Sequence, residues 1–346
     1  LMSSHKSYLL TILACPRCET GSIKRVNGDG STTLRCQSCN EEYAVTEDGV
    51  PQLLKDPSLF THLEAIDYDD HHNIDDERRE KVAHDWKQVF DRHQSVKGDV
   101  LEIGSGTGQL TWGLSHRFPF MSVSACDIST KFLQKAAGVV GTDGVPVRYY
   151  ACDANFLPFR DNSFDLVVGH SVLHHFIDYQ KIIQKLSKLL RPGGQAIFYE
   201  PVLQGKIIIA FVGDLMRRIE RRTEWGVLSE KDDQRINRMT RHIMKGKWIG
   251  DNRERLEKME DKYVFDIHEM RKVGIEAGFE IMDYNNVEMT EKGYRHYVNQ
   301  HLLMEGLAPD TIQQFAFIAN AYMSTIGEMT PNDMVTPMGY FIFKKK

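Results

Sequence analysis

The segment Val100-Leu101-Glu102-Ile103-Gly104-Ser105-Gly106-Thr107-Gly108-Gln109 constrains the fold of this chain more than any other. In it, an apolar run passes into a helix-forming sequence through three glycines spaced two apart. Glycine lets the backbone turn sharply and approach a ligand closely, and the following helix offers its free N–H groups to polar oxygens. In a dinucleotide-binding G-x-G-x-x-G fingerprint the third glycine would fall at position 109, where Gln109 stands. The segment therefore predicts a nucleotide-binding loop with the different spacing G-x-G-x-G.

Short apolar runs alternate with helical patterns after this loop. The predicted strands are 99–103, 121–126, 147–151, 164–169, 195–199, 279–283 and 338–343. Between the fourth and fifth strands, apolar residues recur at helical spacing from 177 to 190, and Arg191-Pro192-Gly193-Gly194 then ends the helix. Such alternation predicts a parallel sheet with helices on both faces, on which ligands lie at the carboxyl ends of the strands.

Acidic residues stand at those predicted strand ends. Asp127 ends the second strand, nineteen residues after Gly108, and a carboxylate there can accept hydrogen bonds from both hydroxyls of a ribose. Asp153 ends the third strand in the same way. Each acid taken alone is equally compatible with a helix cap or a turn. Their joint order and spacing favour a binding site.

With these residues in this order, the chain resembles the class I methyltransferases that use S-adenosylmethionine (SAM), of the type 11 and type 25 groups. The resemblance runs from about 97 to 200 and resumes near 266–285. It implies a loop backbone that lines SAM, an acid at its methionine end, Asp127 at its ribose and Asp153 at its adenine. The SAM-binding residues that it implies are Glu102, Gly104, Ser105, Gly106, Gly108, Asp127, Ile128, Asp153, Ala154 and His170.

The stretch from His170 to Phe176 resembles the V-L-H-H segment that these enzymes place beside the transferring methyl group. Methyl transfer is an in-line displacement, so a base is needed only if the acceptor atom carries a proton. Histidine suits this work near neutral pH. We predict His174 as the base, with His170 and His175 as rivals, although these histidines are equally compatible with packing against the loop.

Four of the six cysteines form the pattern C-x2-C, seventeen residues, C-x2-C. Two thiolates two residues apart can hold one tetrahedral metal, and two such pairs complete a closed site. The pattern predicts a structural zinc ion held by Cys15, Cys18, Cys36 and Cys39. Disulfides would need an oxidising compartment, and a redox or nucleic-acid role is less favoured, because the pattern has a second pair and lacks a basic patch. Cys126 and Cys152 fit buried small side chains.

The cysteine-rich segment also resembles the Trm112-type zinc ribbon, whose members are small partners that stabilise methyltransferases. We therefore expect a zinc ribbon over 8–58, an acidic linker and a helix over 59–96, and a SAM-dependent methyltransferase domain over 97–346. The predicted fold class is α/β: a Rossmann-like seven-stranded methyltransferase sheet plus a small N-terminal zinc ribbon. Two helical insertions, 202–262 and 290–336, are expected to rise over the strand ends as a lid and as substrate walls.

Charge and hydropathy narrow the choice of partners. The net charge of −5 and the pI near 6.3 give no overall attraction to phosphate, which disfavours a dedicated nucleic-acid binder. No run reaches the roughly 18 to 20 apolar residues that span a bilayer. Residues 207–222 combine an apolar stripe with arginines, which fits peripheral contact with a membrane but fits a packed lid helix better. No secretion signal is recognised, so a cytoplasmic location is expected.

Three functions remain open at this point. The first is a SAM-dependent methyltransferase that acts on a small-molecule or lipid-like acceptor, with O-, N- and C-methylation unresolved. The second is an RNA methyltransferase that uses the ribbon to hold RNA or a partner, although Gly169-His170-Ser171-Val172 stands where exocyclic-amine methyltransferases carry N-P-P-[YF]. The third is a SAM-binding scaffold without activity, which loss of Asp127 or of the glycines would have favoured. The sequence does not indicate an oligomeric state.

Overall fold

The fold was analysed in a computed structural model of the chain. The structure describes residues 10–27, 32–56, 75–94, 98–246, 253–258, 261–285, 291–318, 320–321 and 336–346. The predicted boundary at residue 58 and most of the predicted acidic linker lie outside these ranges.

Antiparallel pairing organises the N-terminal module. Strand β1 (Ile23–Asn27) pairs with β2 (Thr32–Cys36), and β2 pairs with β3 (Glu42–Ala44). The first cysteine pair precedes β1; of the second pair, Cys36 ends β2 and Cys39 lies between β2 and β3. The two pairs therefore meet at one end of a three-stranded ribbon, as the predicted zinc ribbon requires.

A second, eight-stranded sheet forms the body of the chain, in the order β10-β11-β9-β8-β5-β6-β7-β4. Its strands are β4 (Gln52–Leu53), β5 (Asp99–Ile103), β6 (Ser122–Asp127), β7 (Val147–Cys152), β8 (Phe164–His170), β9 (Leu190–Pro201), β10 (Phe279–Asn285) and β11 (Met338–Lys345). The strands from β4 to β9 pair in parallel, and β11 runs antiparallel to both β9 and β10. The predicted Rossmann-like α/β fold is thus confirmed, and β4 of the N-terminal module extends its seven strands to eight.

Helices connect the strands and build the insertions. They are α1 (Asp76–His93), α2 (Gln109–His116), α3 (Thr130–Val140), α4 (Tyr179–Leu189), α5 (Leu203–Thr223), α6 (Glu230–Gly246), α7 (Arg253–Glu257), α8 (Ile267–Glu276), α9 (Glu291–Met304) and α10 (Pro309–Gln314). Helix α1 begins where Asp75 accepts a hydrogen bond from the Arg78 N–H, the usual role of an N-terminal cap. Helix α4 ends at Leu189, and the Arg191–Gly194 turn predicted to follow it lies within the first residues of β9.

The strand order reverses at β5. From this strand the chain continues through β6 and β7 on one side and through β8 and β9 on the other. A crevice opens at such a switch point, at the carboxyl ends of the parallel strands. The glycine loop follows β5, so the sheet places it at this crevice.

The N-terminal module joins this sheet at its edge. Gln52 and Leu53 of β4 pair with Ala151 and Cys152 at the end of β7. The N–H of Ala14 donates to the Pro158 carbonyl at 3.0 Å. Apolar residues of the module, among them Leu13 and Leu53, belong to the same buried cluster as Leu101, Tyr150 and Phe159 of the sheet. The module and the sheet therefore share one hydrophobic core.

The two insertions form a second core. Buried apolar residues of α5, α6, α9 and α10 pack together, away from the sheet: Ile209, Ala210, Val212, Met216, Ile236, Met239, Ile243, Val298, Leu302, Leu307, Ile312, Phe315 and Ile318. This supports the expected lid. Within the predicted apolar stripe of residues 207–222, Phe211 faces outward, since it is 54% exposed. None of the helices described here is long and apolar enough to cross a membrane.

Candidate active site

The glycine loop turns directly over the end of β5. The N–H of Ser105 donates to the Cys126 carbonyl at 3.0 Å, which ties the loop to β6. Gly104 has a φ of +64°, and a Cβ placed there would lie 2.2 Å from Cγ2 of Val172. Gly106 has a φ of +51° and faces open space. Only glycine fits at Gly104, and the open side of Gly106 leaves room for a ligand to approach the backbone.

Asp127 holds the loop from the neighbouring strand. Its Oδ2 accepts the Gly106 N–H at 2.9 Å, and its Oδ1 accepts the Ser129 N–H at 2.9 Å. Burial raises the pKa of Asp127, while these backbone donors act to lower it. Asp127, the residue predicted to bind the ribose, is therefore in direct contact with the predicted cofactor loop. Ile128 lies between Asp127 and Ser129.

Glu102 lies beneath the loop and is almost fully buried. Its Oε2 accepts the Thr111 hydroxyl at 2.6 Å. Burial raises the pKa of Glu102 to about 8; the Thr111 hydrogen bond opposes this shift and the charge of Asp127 adds to it. A carboxylate in this position would gain from a cationic group, such as the α-amino group of a bound methionine moiety.

Asp153 follows β7 and is buried. Its Oδ1 caps the short helical turn Ala154–Phe156 by accepting both the N–H and the side-chain amide of Asn155, each at 2.8 Å. The capping function that the sequence left open is thus present. Both of these hydrogen bonds go to Oδ1 and neither goes to the second carboxylate oxygen, Oδ2, so capping and contact with a nucleobase are compatible.

The loop contains polar atoms that are buried and, among the described residues, have no hydrogen-bond partner. They are Oγ of Ser105, Oγ1 of Thr107 and Nε2 of Gln109. A buried polar atom costs stability unless a partner satisfies it. Three such atoms on one loop, beside the open Gly106, fit a polar ligand. The residues present therefore suit a bound SAM.

A histidine and a glutamate meet beside this loop. The Nδ1 of His174 lies 2.6 Å from Oε2 of Glu200, and both side chains are buried. The other oxygen of Glu200 accepts the N–H groups of Val172 and Leu173 at 2.9 and 2.7 Å. Because Val172 also packs against Gly104, the histidine turn and the cofactor loop touch. Glu200 therefore fixes both the turn that carries His174 and the orientation of its ring.

The second nitrogen of His174 faces outward. Its Nε2 lies 3.4 Å from Oδ1 of Asp261, a side chain that is 71% exposed. Burial alone would lower the pKa of His174, but the charges of Glu200 and Asp261 and its hydrogen bonds to them raise it to about 9. The same pairing lowers the pKa of Asp261. His174 therefore holds a proton more firmly than a free histidine does, and its Nε2 lies against Asp261.

The two rival histidines differ from His174. The Trp86 indole donates to Nδ1 of His170 at 3.0 Å, and the His170 ring stacks on Tyr199 at 4.8 Å between centroids. Burial lowers the pKa of His170 to about 4, which makes it a weak base. His175 is half-exposed, with its Nδ1 3.7 Å from Asp261.

The four N-terminal cysteines converge. The Sγ atoms of Cys15 and Cys39 lie 3.7 Å apart, as do those of Cys18 and Cys36, and all four lie within 4.8 Å of one another. Tetrahedral zinc, with Zn–S bonds of about 2.3 Å, separates two sulfurs by about 3.8 Å, whereas a disulfide needs about 2 Å. Tyr43 lies with its hydroxyl 3.0 Å from Cys15 Sγ. The cysteine geometry fits zinc and excludes disulfides between them.

Sequence reasoning missed Glu200 and Asp261. Glu200 stands at the end of β9, where the rule that identified Asp127 and Asp153 could have found it. Asp261 has no comparable signal, because it lies in a loop at the end of the first insertion and not at the end of a strand. Its place is set by the adjacent Lys262, whose N–H donates to the His174 carbonyl at 2.9 Å.

Comparisons with known proteins agree with this geometry. A family profile described as a methyltransferase domain matches residues 101–198. A ubiquinone/menaquinone biosynthesis C-methyltransferase of Desulfotalea psychrophila is 30% identical over 112 residues, which cover 32% of this chain and 45% of that protein. A demethylmenaquinone methyltransferase of Thermus thermophilus is 34% identical over 101 residues, which cover 29% and 46%. The chain thus spans less than half the length of these relatives.

Among solved structures, a complex of the Haloferax volcanii Trm112 methyltransferase activator with a methyltransferase is similar at 15% identity and a TM-score of 0.45. That match covers 78% of this chain and 94% of the other. The matched profile, 101–198, contains the glycine loop, Asp127, Asp153 and the histidine turn. Residues 101–198 therefore match a methyltransferase domain, and the relatives that align with this stretch are methyltransferases.

Proposed function

We propose that this protein transfers the methyl group of SAM to a protonated atom of a small or lipid-like acceptor, with His174 as the base. The contact between His174 and Glu200 at 2.6 Å carries the proposal. A methyltransferase whose acceptor already has a free lone pair needs no buried histidine held by a carboxylate. The pair lies against the glycine loop through Val172 and Gly104, and this position supports a role for His174 beside the transferring methyl group.

Carbon is the acceptor atom that we favour. Two relatives are named for methylation in ubiquinone or menaquinone biosynthesis, one of them as a C-methyltransferase, and a third is the polyketide synthase component of a Penicillium citrinum compactin nonaketide synthase. The pKa of His174 is raised to about 9, so its imidazole is a stronger base than that of a free histidine and suits an acceptor carbon that carries a weakly acidic proton. An enzyme for such an acceptor benefits from a base of matching strength.

Different residues would bind SAM and move the acceptor proton. Glu102, the loop from Gly104 to Gly108, Asp127, Ile128, Asp153 and Ala154 would hold SAM, whose sulfonium supplies an electrophilic methyl group. His174 Nε2 would remove the acceptor proton as the new bond to the methyl carbon forms. Glu200 stabilises the resulting imidazolium, just as an acid beside a catalytic histidine does in hydrolases. The exposed Asp261 would yield its place at Nε2 to the acceptor.

We further propose that zinc binds the four cysteines and acts through the fold alone, since all four positions are filled by protein. The metal would hold the module whose β4 pairs with β7, one residue before Asp153. Reduced thiols of this kind are usual in the cytoplasm, where we place the protein.

The proposal is tested by methyl transfer from radiolabelled SAM to fractions of a cell extract. The wild-type protein is expected to label an organic-extractable fraction and to release S-adenosylhomocysteine, whereas His174→Gln labels it far more slowly. Label that appears in RNA instead would support an RNA methyltransferase, and binding of SAM without label in any fraction would support a scaffold. Either result would overturn the proposed function.

A further inference from the structure

The two insertions meet at a pair of basic side chains. Lys206, in the first turn of α5, places Nζ 2.5 Å from Nε2 of His301 on α9. The residues are 95 positions apart, and each belongs to a different insertion. This contact joins the two walls of the expected substrate space. The mechanism proposed above does not use it.

His301 cannot balance the charge of Lys206. Burial and the neighbouring Lys206 charge lower the pKa of His301 to about 4, so its imidazole is neutral and accepts a hydrogen bond from the ammonium group. An ammonium group has three N–H donors, of which this contact uses one. Among the described residues, no carboxylate oxygen lies within 4.0 Å of Lys206 Nζ. The lysine therefore has a neutral partner and spare donors.

Lys206 lies on the side of His174 that carries Nε2, where the methyl acceptor is proposed to bind. Lys206 interacts electrostatically with Asp261, and Asp261 lies 3.4 Å from the reactive Nε2 of His174. Asp261 is mostly exposed, so water weakens its attraction for Lys206. Glu200 is already committed to His174 and to two backbone N–H groups. Glu305, just after α9, also attracts Lys206 electrostatically, but among the described residues neither Glu305 nor Asp261 forms an ion pair with its Nζ.

We propose that Lys206 and His301 form a subsite for an anionic group of the methyl acceptor, a carboxylate or a phosphate. Burial disfavours a charged ammonium group unless an opposite charge or strong acceptors satisfy it. The pKa of Lys206 is accordingly lowered, chiefly by burial, to about 8. Anionic oxygens of a bound acceptor would use the spare donors and restore the charge. The inference rests on the proposed function, because it places this group on the substrate of the same site.

Calorimetric titration tests the subsite with two probes, benzoate and inorganic phosphate, on protein loaded with S-adenosylhomocysteine. The wild-type protein is expected to bind at least one probe, and the probe that binds identifies the group. Lys206→Met is expected to weaken that binding by about tenfold or more, the usual worth of a charged hydrogen bond. Lys206→Arg, which keeps the charge, is expected to retain most of it. Lys272→Met, at an exposed lysine of α8, is the matched control.

Two results would overturn the subsite: neither probe binds the wild-type protein, or Lys206→Met binds the probe as the wild type does. Affinity for S-adenosylhomocysteine, measured on the same samples, shows whether the variants are folded and should not change in Lys206→Met. If the protein fails to bind S-adenosylhomocysteine at all, the proposed function fails. Titration of benzoate or phosphate into protein without S-adenosylhomocysteine then still shows whether Lys206 binds an anion, so the two failures can be told apart.

Discussion

The Nδ1 of His174 lies 2.6 Å from Oε2 of Glu200, although 26 residues separate them along the chain. His174 lies in the turn that follows β8, and Glu200 lies near the end of β9, the neighbouring strand of the sheet. A carboxylate at Nδ1 leaves Nε2 as the nitrogen that can accept a proton. Glu200 therefore fixes the orientation of the ring of His174, the proposed base, beside the glycine loop.

Replacement of His174 tests this base. His174→Gln is expected to lower kcat by about 10²- to 10⁴-fold, the usual worth of general base catalysis, because glutamine cannot accept the acceptor proton. The affinity for SAM should stay close to that of the wild type. His175→Gln, in the same turn but half-exposed, is the matched control and should retain most activity. A full rate in His174→Gln would remove the base from the mechanism.

The pH profile tests the electrostatics of the same residue. His174 must be neutral to act as a base, and its pKa is about 9, so kcat/KM should rise with pH through the neutral range and level off near pH 9. Asp261 contributes to this raised pKa. Asp261→Asn should therefore shift the rising limb to lower pH and increase the rate at pH 7. If kcat/KM rises over the same pH range in Asp261→Asn as in the wild type, Asp261 does not act on the pKa of His174.

Glu102 makes a separate prediction about cofactor binding. Its pKa of about 8 means that the empty site holds a protonated carboxyl at neutral pH. If the ionised form binds the methionine end of SAM, affinity should increase as pH rises from 6 to 8, by up to about tenfold per unit. Calorimetric titration over this range checks the slope. In Glu102→Gln the affinity for SAM should not change with pH over this range. If it changes as steeply as in the wild type, a group other than Glu102 causes the pH dependence.

The close packing of Gly104 predicts a large effect of a single methyl group. Gly104→Ala combines an unfavourable φ with a Cβ 2.2 Å from Val172, so the loop or the histidine turn must move. Gly193 also has a positive φ, but open space surrounds it. Gly193→Ala should cost about 1–2 kcal/mol, and Gly104→Ala should cost about 1–3 kcal/mol more. Urea unfolding measures both, and equal costs would contradict the predicted clash.

Removal of zinc should act on the sheet as well as on the ribbon. Because β4 pairs with β7 just before Asp153, loss of the metal is expected to lower both the Tm and the affinity for SAM. Differential scanning fluorimetry with a chelator, followed by added zinc, measures the loss and its recovery. An unchanged Tm after the metal has been removed would show that the ribbon does not need it.

Sequence patterns predicted the parts of the site that lie close together along the chain. The glycine loop, Asp127 and the four cysteines are recognisable because strand-end and metal-ligand spacings are set by local geometry. The seven strands of the methyltransferase sheet were predictable for the same reason, since each is a short apolar run between helical patterns.

The parts that sequence reasoning missed depend on distant contacts. Strand β4 has only two residues, and only its position against β7 makes it a strand. The contacts of Glu200 with His174 and of Lys206 with His301 bridge 26 and 95 positions, so no local period signals them. The α5 stripe was only partly correct, because Phe211 faces outward while Met216 is buried against α6, α9 and α10.

Calorimetric titration of SAM into the wild-type protein and into Asp127→Ala tests the cofactor site on which the whole account depends. Asp127 accepts the Gly106 N–H at 2.9 Å, and we propose that it holds the ribose of SAM. The account predicts one SAM per chain in the wild-type protein and a loss of affinity of at least about a hundredfold in the variant, as expected for two charged hydrogen bonds. Equal affinity in the two proteins, or no binding of SAM by the wild type, would contradict it.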